Sequence, residues 1–245
     1  MVQQFFGISY EFDWGLPFRE PFFSLFVTGI KLTLLIAGVT TVTSLVLGVV
    51  LGVMRSSEST VLRGVGTIYV EIFRNIPGLF WILFFYFAFP QMLPSAWSQA
   101  LNSYTHFGLV AAILGLTFDN SSYVAEIVRS GIEAITRGQM EAAKAIGLTN
   151  WQRWSYVILP QAFRVVTPPL GTRFIHNLKN TSLAMVIAVP ELTWVTTQVE
   201  ALTFRGFEMT TVATVFYVVL CLTMATGVNW LEVQLTRQHG LRPMQ

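Results

Sequence analysis

One uncharged apolar run decides the fold of this chain: LTLLIAGVTTVTSLVLGVVLGVM, residues 32–54. A helix needs about 20 predominantly apolar residues to cross the hydrocarbon core of a bilayer, and this run is long enough. The composition agrees, since 53% of the 245 residues are hydrophobic and 11% are charged, whereas a soluble domain carries about 25% charged residues. The sequence therefore predicts an all-α integral membrane protein.

Four more apolar runs follow, at residues 66–89, 107–128, 166–189 and 209–233. Pro77 falls inside the second run and predicts a kink, because proline removes a backbone hydrogen bond from a helix. Pro168 and Pro169 are expected at the entrance of the fourth run. Five helices cannot form two equal inverted halves of the kind that many secondary transporters use, so a pore would need a second chain. We predict a single transmembrane domain over residues 1–245.

The basic residues between the runs predict the orientation of the chain. One set of connections is richer in Lys and Arg, and the positive-inside rule places that set in the cytoplasm. The amino terminus is then outside and the carboxyl terminus inside. The net charge of +2 is small and does not predict a nucleic-acid partner. The richer connections carry Arg55, Arg63, Arg129, Arg137, Lys144, Arg153, Arg237 and Arg242, and the others carry Arg19, Lys31 and Arg205.

A polar segment, GQMEAAKAIGLTNWQRWSYVILP, occupies residues 138–160 on the predicted cytoplasmic side. Its first part has high helix propensity, and Gly147 can end that helix in a left-handed turn. Asn150 is expected to cap a second short helix, and Pro160 is expected to stop that helix from continuing unchanged. The segment is therefore predicted to form a helix, a turn and a second helix.

The first of these short helices carries small side chains bordered by charge. The small residues are Ala142, Ala143 and Ala145, and the bordering residues are Glu141 and Lys144. A surface of low relief with a charged rim suits the docking of another protein. A loop that merely connects two spans at the membrane interface is an equal alternative.

Ionisable residues inside the apolar runs are candidates for function, because each costs about 2.5 to 3.5 kcal/mol to insert. Glu71 and Arg74 are three residues apart in the second run and are expected to form a structural pair. Asp119 and Asn120 lie near the middle of the third run, with no cation close in sequence. Asp119 must therefore find a partner on another helix, stay protonated or face water. Both residues are candidates for a translocation path.

A polar stripe distinguishes the fourth run, where residues 173, 176, 177 and 180 follow helical spacing. Such a face is expected to line a pore or a contact with another chain. Arg173 or Lys179 could bind the carboxylate of a substrate such as an amino acid, and hydrogen bonding between helices is an equal alternative. The substrate-path candidates in this run are Arg173, Asn177, Lys179, Asn180, Thr181 and Ser182.

No enzymatic or metal-binding pattern accompanies these residues. The sequence contains neither a G-x-x-x-x-G-K-[ST] phosphate loop nor a G-x-S-x-G nucleophile motif. The three histidines, His106, His176 and His239, lack metal-ligand spacing. We therefore predict a chain that is not an enzyme and holds no metal or cofactor of its own. Its energy would come from a partner or from an ion gradient.

The polar segment resembles the EAA motif of permease subunits in ATP-binding-cassette (ABC) importers. That motif reads E-A-A, three residues, G, nine residues, I-x-L-P, and Val157 here replaces its Ile. The flanking sequences AEIVRSGIEAITRGQ and PQAFRVVTPPLGTRFIHNLKNTSL resemble polar amino-acid permeases, as does YVEIFRNIPGLFWILFFYF in the second run. The residues that match the motif are Glu141, Ala142, Ala143, Gly147, Leu159 and Pro160.

The resemblance implies a type I ABC importer permease whose motif residues form a coupling helix seated in a cytoplasmic ATPase. It implies ATP and Mg²⁺ on that separate ATPase subunit, a second permease that is this chain itself or a paralogue, an extracytoplasmic amino-acid-binding protein and a bacterial inner membrane. In the family, the segment that corresponds to residues 179–183 lies on the helix that lines the path. The segment FDWGLP, residues 12–17, resembles glutamate and aspartate permeases.

Two other functions stay open at this point. The first is an ion-coupled secondary transporter or channel with Asp119 as its ion site. The second is a membrane scaffold whose polar segment only recruits a soluble partner.

Overall fold

A computed structural model of the chain describes residues 2–5, 8–135 and 137–237. Three of its helices are long and apolar enough to cross a membrane: α1 (Phe22–Arg55), α5 (Phe107–Glu133) and α10 (Gly206–Arg237). Two bent pairs of helices have the same length and hydropathy, so the described part of the chain has up to five spans. The predicted all-α membrane fold is confirmed.

The second span is broken where only a kink was predicted. Helix α2 (Thr60–Arg74) ends just before Pro77, and the following segment departs from its direction by 99°. Pro77 has an extended backbone with ψ of 138°, and the residue before a proline is disfavoured in a helix. The prediction therefore has the right position and too small a bend. The segment after the break consists of α3 (Gly78–Leu83), a π-helix (Phe84–Ala88) and a 3₁₀ helix (Phe89–Met92), and α4 (Ser95–Ser103) then leads to α5.

The fourth span starts earlier than predicted and is also bent. Its central helix is α8 (Leu159–Asn180), which a 3₁₀ helix (Thr181–Ile187) extends. The span then bends by 48° into α9 (Leu192–Thr203). Ala188, with φ of 56°, ends the 3₁₀ helix in the left-handed conformation. The predicted start at residue 166 therefore lies well inside α8.

The prolines of this span lie within continuous helix. The helix before Pro160 changes to a π-helix (Arg153–Ile158) and runs on into α8, so Pro160 does not end it, but the helix does not continue unchanged, as predicted. Pro168 and Pro169 lie inside α8 and not at its entrance. Membrane helices tolerate such prolines because neighbouring groups satisfy the freed backbone.

A short hairpin precedes the helices, which the sequence did not predict. Strand β1 (Val2–Phe5) pairs antiparallel with β2 (Ile8–Glu11), with Val2 opposite Glu11 and Phe5 opposite Ile8. Each strand has only four residues, too few for an alternating pattern to stand out. A single 3₁₀ turn (Leu16–Phe18) then joins the hairpin to α1.

Helix α5 lies at the centre of the bundle. In its most apolar stretch 61% of the residues are buried, against 33% in α1 and 6% in α10. Helix α1 packs closely on α5 through Gly48 and Gly52, which form a G-x-x-x-G pattern. A Cβ at Gly48 would lie 2.9 Å from the Ser121 carbonyl oxygen, and one at Gly52 would lie 2.8 Å from that of Ala125. This contact fixes α1 against the polar middle of α5.

The close approach of α1 and α5 predicts that Gly48→Ala destabilises the protein. The added methyl meets backbone that cannot move aside, and overpacking of this kind costs about 1 to 3 kcal/mol. Gly38→Ala on the same helix is the matched control, since a Cβ there meets nothing within 4 Å. Thermal melting of the purified proteins in detergent measures the difference. Equal melting of both variants would contradict the packing argument.

Candidate functional site

An ion pair between two helices forms the centre of the polar site. Arg173 on α8 donates from Nη2 to Asp119 Oδ2 on α5 at 2.8 Å, and from Nε to Asn120 Oδ1. Asn120 Nδ2 in turn donates to Ser44 Oγ on α1 at 2.6 Å. The side chains of Arg173 and Asp119 are 14% and 6% exposed. Of the three possibilities for Asp119, the structure shows a partner on another helix.

The ring of Tyr123 extends this site by one turn of α5. The guanidinium carbon of Arg173 lies 3.8 Å from the ring centroid, and that of Arg74 lies 5.6 Å from it. Both distances fall within the range of cation–π attraction. The Tyr123 ring therefore lies close to two cations that come from different helices.

The expected pair of Glu71 and Arg74 is wrong. Glu71 accepts a hydrogen bond of 3.0 Å from Asn75 Nδ2 on Oε2, and Arg74 Nη1 lies 3.7 Å from Glu126 Oε2. Glu126, on the neighbouring α5, and the Tyr123 ring together attract Arg74 away from its own helix. Spacing along one helix could not reveal that competition, because both competitors belong to another element.

Glu126 is the hub of a larger ion network that the sequence did not predict. It accepts hydrogen bonds from Arg55 on α1 and, at 2.5 Å, from Arg129 Nη2 on α5. Arg129 also binds Glu133 with Nη1, at 2.6 and 2.7 Å to the two carboxylate oxygens. The spacing of 126, 129 and 133 on one helix was the available signal. The network joins α1, α2 and α5 at one level.

The predicted polar stripe of α8 divides into a buried and an exposed side. Asn177 is buried, and its Nδ2 donates to the hydroxyl oxygens of Thr40 at 2.7 Å and Thr41 at 3.1 Å on α1. Thr181 is also buried, and its hydroxyl donates to the Leu178 carbonyl. For Asn177 the structure therefore shows the alternative that was left open, hydrogen bonding between helices.

The other side of the stripe opens outward from the bundle. His176 and Lys179 are exposed there, and Asn180 and Ser182 are half-buried. Thr172, which was not part of the predicted stripe, is exposed as well. The Ser182 hydroxyl donates to the Lys179 carbonyl oxygen at 2.8 Å. Lipid tails offer no partner for such groups. This face therefore requires water, a substrate or another chain against it.

A cavity of about 220 Å³ lies beside this exposed face. It extends from the Tyr123 ring to the imidazole of His176, and both arginines of the cation–π contacts reach it. Its lining residues are Arg74, Tyr123, Glu126, Ile127, Pro169, Thr172, Arg173 and His176.

The EAA segment (residues 138–160) forms the predicted helix, turn and helix. Helix α6 (Arg137–Ala145) is followed by Gly147, which has φ of +82° as its left-handed turn requires. Thr149, and not Asn150 as predicted, caps α7 (Asn150–Gln152) through a capping box with Gln152. The T-x-x-Q pattern in the sequence was the signal for this cap. A π-helix (Arg153–Ile158) then leads without interruption into α8.

The open surface of the EAA segment carries large apolar side chains beside its polar ones. Ile146, Trp151 and Tyr156 are 76%, 78% and 72% exposed. Of the predicted low-relief surface, Ala142 and Ala145 are exposed but Ala143 is 4% exposed. The Ala143 carbonyl oxygen accepts a hydrogen bond from the Leu148 N–H, which closes the turn. The exposure of Ile146, Trp151 and Tyr156 was not predicted from the sequence.

Glu191 is a second buried carboxylate that sequence reasoning missed. It begins α9 and accepts hydrogen bonds of 2.9 Å from the backbone N–H groups of Thr193 and Trp194. The Tyr217 hydroxyl on α10 donates to Glu191 Oε2 at 3.0 Å, and the Thr33 hydroxyl on α1 lies 3.4 Å from the same oxygen. These four donors satisfy both oxygens of the buried carboxyl group, so Glu191 joins three spans.

Comparison with known proteins gives the class of this chain. Residues 44–237, from the middle of α1 to the end of α10, match the family described as the binding-protein-dependent transport system inner membrane component. The chain belongs to this family of ABC importer permeases and is an inner-membrane component of such a system.

Individual relatives extend over nearly the whole chain. It is 37% identical to the probable glutamine ABC transporter permease protein GlnM of Bacillus subtilis (strain 168), over 89% of this chain and 96% of that protein. It is 32% identical to the glutamate/aspartate import permease protein GltK of Escherichia coli O157:H7, over 91% and 98%. The crystal structure of an amino acid ABC transporter with histidines superimposes with a TM-score of 0.79 at 28% identity, covering 92% of this chain and all of that one (100%).

Proposed function

We propose that this chain carries polar amino acids, of the glutamine and glutamate type, across the inner membrane into the cytoplasm. The observation that carries this proposal is the exposed polar side of α8 next to the cavity between Arg74 and Arg173. Relatives that are named as glutamine and glutamate/aspartate permeases support the same substrate class.

The EAA segment is proposed to couple this chain to a cytoplasmic ATPase. ATP and Mg²⁺ would bind to that separate subunit, and closure of an ATPase pair would move the membrane helices as rigid bodies. Exposed Ile146, Trp151 and Tyr156 support docking, because water-exposed apolar groups gain by being covered. The coupling residues we propose are Glu141, Ala142, Ala143, Gly147, Leu159 and Pro160.

A second permease chain is proposed to face the exposed side of α8. It is a copy of this chain or a paralogue, and the path then runs between the two permeases. An extracytoplasmic binding protein would deliver the amino acid, with the amino terminus of this chain outside and the carboxyl terminus in the cytoplasm. The proposed path residues on the fourth span are Arg173, Lys179, Asn180 and Ser182, and Asp119 and Asn120 on α5 hold Arg173 in place. Asn177 and Thr181, which were also predicted as path residues, lie on the buried side of that span.

Uptake of radiolabelled L-glutamine and L-glutamate by cells that express the chain together with its ATPase subunit, any second permease and an amino-acid-binding protein tests this function. Uptake is expected to stop when ATP is depleted and to survive collapse of the ion gradients. The reverse dependence would make the chain an ion-coupled transporter. The structure weighs against that alternative, because the guanidinium of Arg173 already occupies the Asp119 carboxylate.

A further inference from the structure

The cavity between α2, α5 and α8 has the chemistry of an anion site. We propose that this arginine pocket, formed by Arg74, Tyr123, Arg173 and His176, binds the carboxylate of the transported amino acid before release to the cytoplasm. The inference rests on the proposed function and adds to the path a second binding site, after the polar residues at the end of α8.

The ion network around the pocket has more cations than anions. Its four arginines face three carboxylates among the described residues, so one positive charge lacks a full counterion. The arginines are Arg55, Arg74, Arg129 and Arg173, and the carboxylates are Asp119, Glu126 and Glu133.

Arg74 is the arginine with the least complete set of partners. Its ion-pair contact is the 3.7 Å approach to Glu126, whose carboxylate already receives Arg55 and Arg129 at shorter range. The Arg74 side chain is 45% exposed, and its guanidinium lies toward the Tyr123 ring within the pocket. A planar guanidinium in this position can bind a carboxylate with two parallel hydrogen bonds.

The pocket and the polar residues at the end of α8 lie at different levels along the axis of that helix. Arg173 precedes Lys179 by six positions, which at about 1.5 Å of rise per residue places it about 9 Å away along the helix. It lies nearer the EAA segment, the side proposed to be cytoplasmic. A substrate that comes from outside therefore reaches Lys179 first and the arginine pocket second.

The size and openness of the pocket suit a small ligand. Its 220 Å³ is below the roughly 300 to 1,000 Å³ of sites for drug-sized molecules. Thr172 and His176, both exposed, form its rim and leave it accessible from the face of α8. Pro169 and Ile127 supply an apolar wall. These dimensions favour the carboxylate end of an amino acid.

Protection of a thiol at the rim tests the pocket directly. Thr172→Cys is combined with Cys221→Ser, and the complete transporter in inside-out membrane vesicles is treated with N-ethylmaleimide. The probes are L-glutamine, L-glutamate and L-glutaminamide, in which an amide replaces the α-carboxylate. Inside-out vesicles expose the cytoplasmic side, so no binding protein is needed. Ile127→Cys, at another lining residue of the pocket, replaces Thr172→Cys if the latter does not reach the membrane.

L-glutamine or L-glutamate is expected to slow labelling, and L-glutaminamide is not. Arg74→Gln in the same background is expected to raise the half-protecting concentration at least about tenfold, as befits the loss of a charge-assisted hydrogen bond. Arg63→Gln, an exposed arginine on the same helix, is the matched control and is expected to leave protection unchanged.

Three results would overturn the pocket: no protection, equal protection by L-glutaminamide, or full protection after Arg74→Gln. Uptake by the unmodified chain separates this failure from a failure of the proposed function. Normal uptake with no protection removes the pocket and leaves the function in place. If the unmodified chain takes up no amino acid, the proposed function fails and the pocket assignment fails with it.

Discussion

Gly147→Asp is expected to abolish amino-acid uptake while leaving the amount of chain in the membrane unchanged. Gly147 has φ of +82°, a conformation that costs an ordinary L-residue about 1 kcal/mol or more. A Cβ at this position meets nothing within 4 Å inside the chain. The fold can therefore absorb the change, whereas the turn and any partner seated against it cannot. Uptake and ATPase activity stimulated by the binding protein are the measurements.

Gly138→Asp provides the matched control for this variant. It places the same charge on the same segment, where a Cβ also meets nothing within 4 Å and no positive φ is required. Uptake is expected to persist. Normal uptake by Gly147→Asp would disprove the coupling role of the turn. Loss of partner binding without loss of flux would instead favour a scaffold.

Arg173→Leu is expected to destabilise the protein severely and to abolish uptake. It leaves the Asp119 carboxylate, 6% exposed, without its cation, and removing one partner of a buried ion pair costs about 3 to 5 kcal/mol. The Asn120 carbonyl oxygen also loses its donor. The melting temperature in detergent and the yield of folded protein measure the effect.

The double variant Asp119→Leu/Arg173→Leu separates stability from transport. Replacing both partners by apolar residues of similar size is often close to neutral, so melting is expected to recover. Uptake is expected to stay absent, because the pocket has lost a cation. If both the melting temperature and the uptake of the double variant recover, the ion pair serves only the packing of the helices. If Arg173→Leu alone melts like the unmodified chain, the argument from burial is contradicted.

The sequence predicted elements that depend on local hydropathy and missed those that depend on contacts between helices. The apolar runs located every span, and Gly147 was recognised as a turn because its role depends on its own backbone. Asp119 was recognised as needing a partner, yet Arg173, 54 positions away, could not be chosen over Lys179 without the fold. The predicted pair of Glu71 and Arg74 was wrong for the same reason, because Glu126 on another helix competes for Arg74.

Some misses had a signal that was available in the sequence. The T-x-x-Q pattern of Thr149 and Gln152 indicates a capping box, and the G-x-x-x-G pattern of Gly48 and Gly52 indicates close helix packing. The other features that were not predicted have no sequence signal of comparable strength. Glu191 is stabilised by donors from α1, α9 and α10, and only the assembled bundle brings these together.

The two prolines inside α8 give that helix an uneven stiffness. Pro168 and Pro169 cannot donate to the carbonyl oxygens one turn before them, so two consecutive rungs of the helix ladder are missing. Both arms of α8, before and after this point, are regular helix, so we expect the helix to bend most easily at the two prolines. One arm ends in the EAA segment and the other carries Arg173 and Asn177. If an ATPase displaces the first arm, we expect the second arm to change its angle at the prolines, so that α8 moves as two rigid arms and not as one.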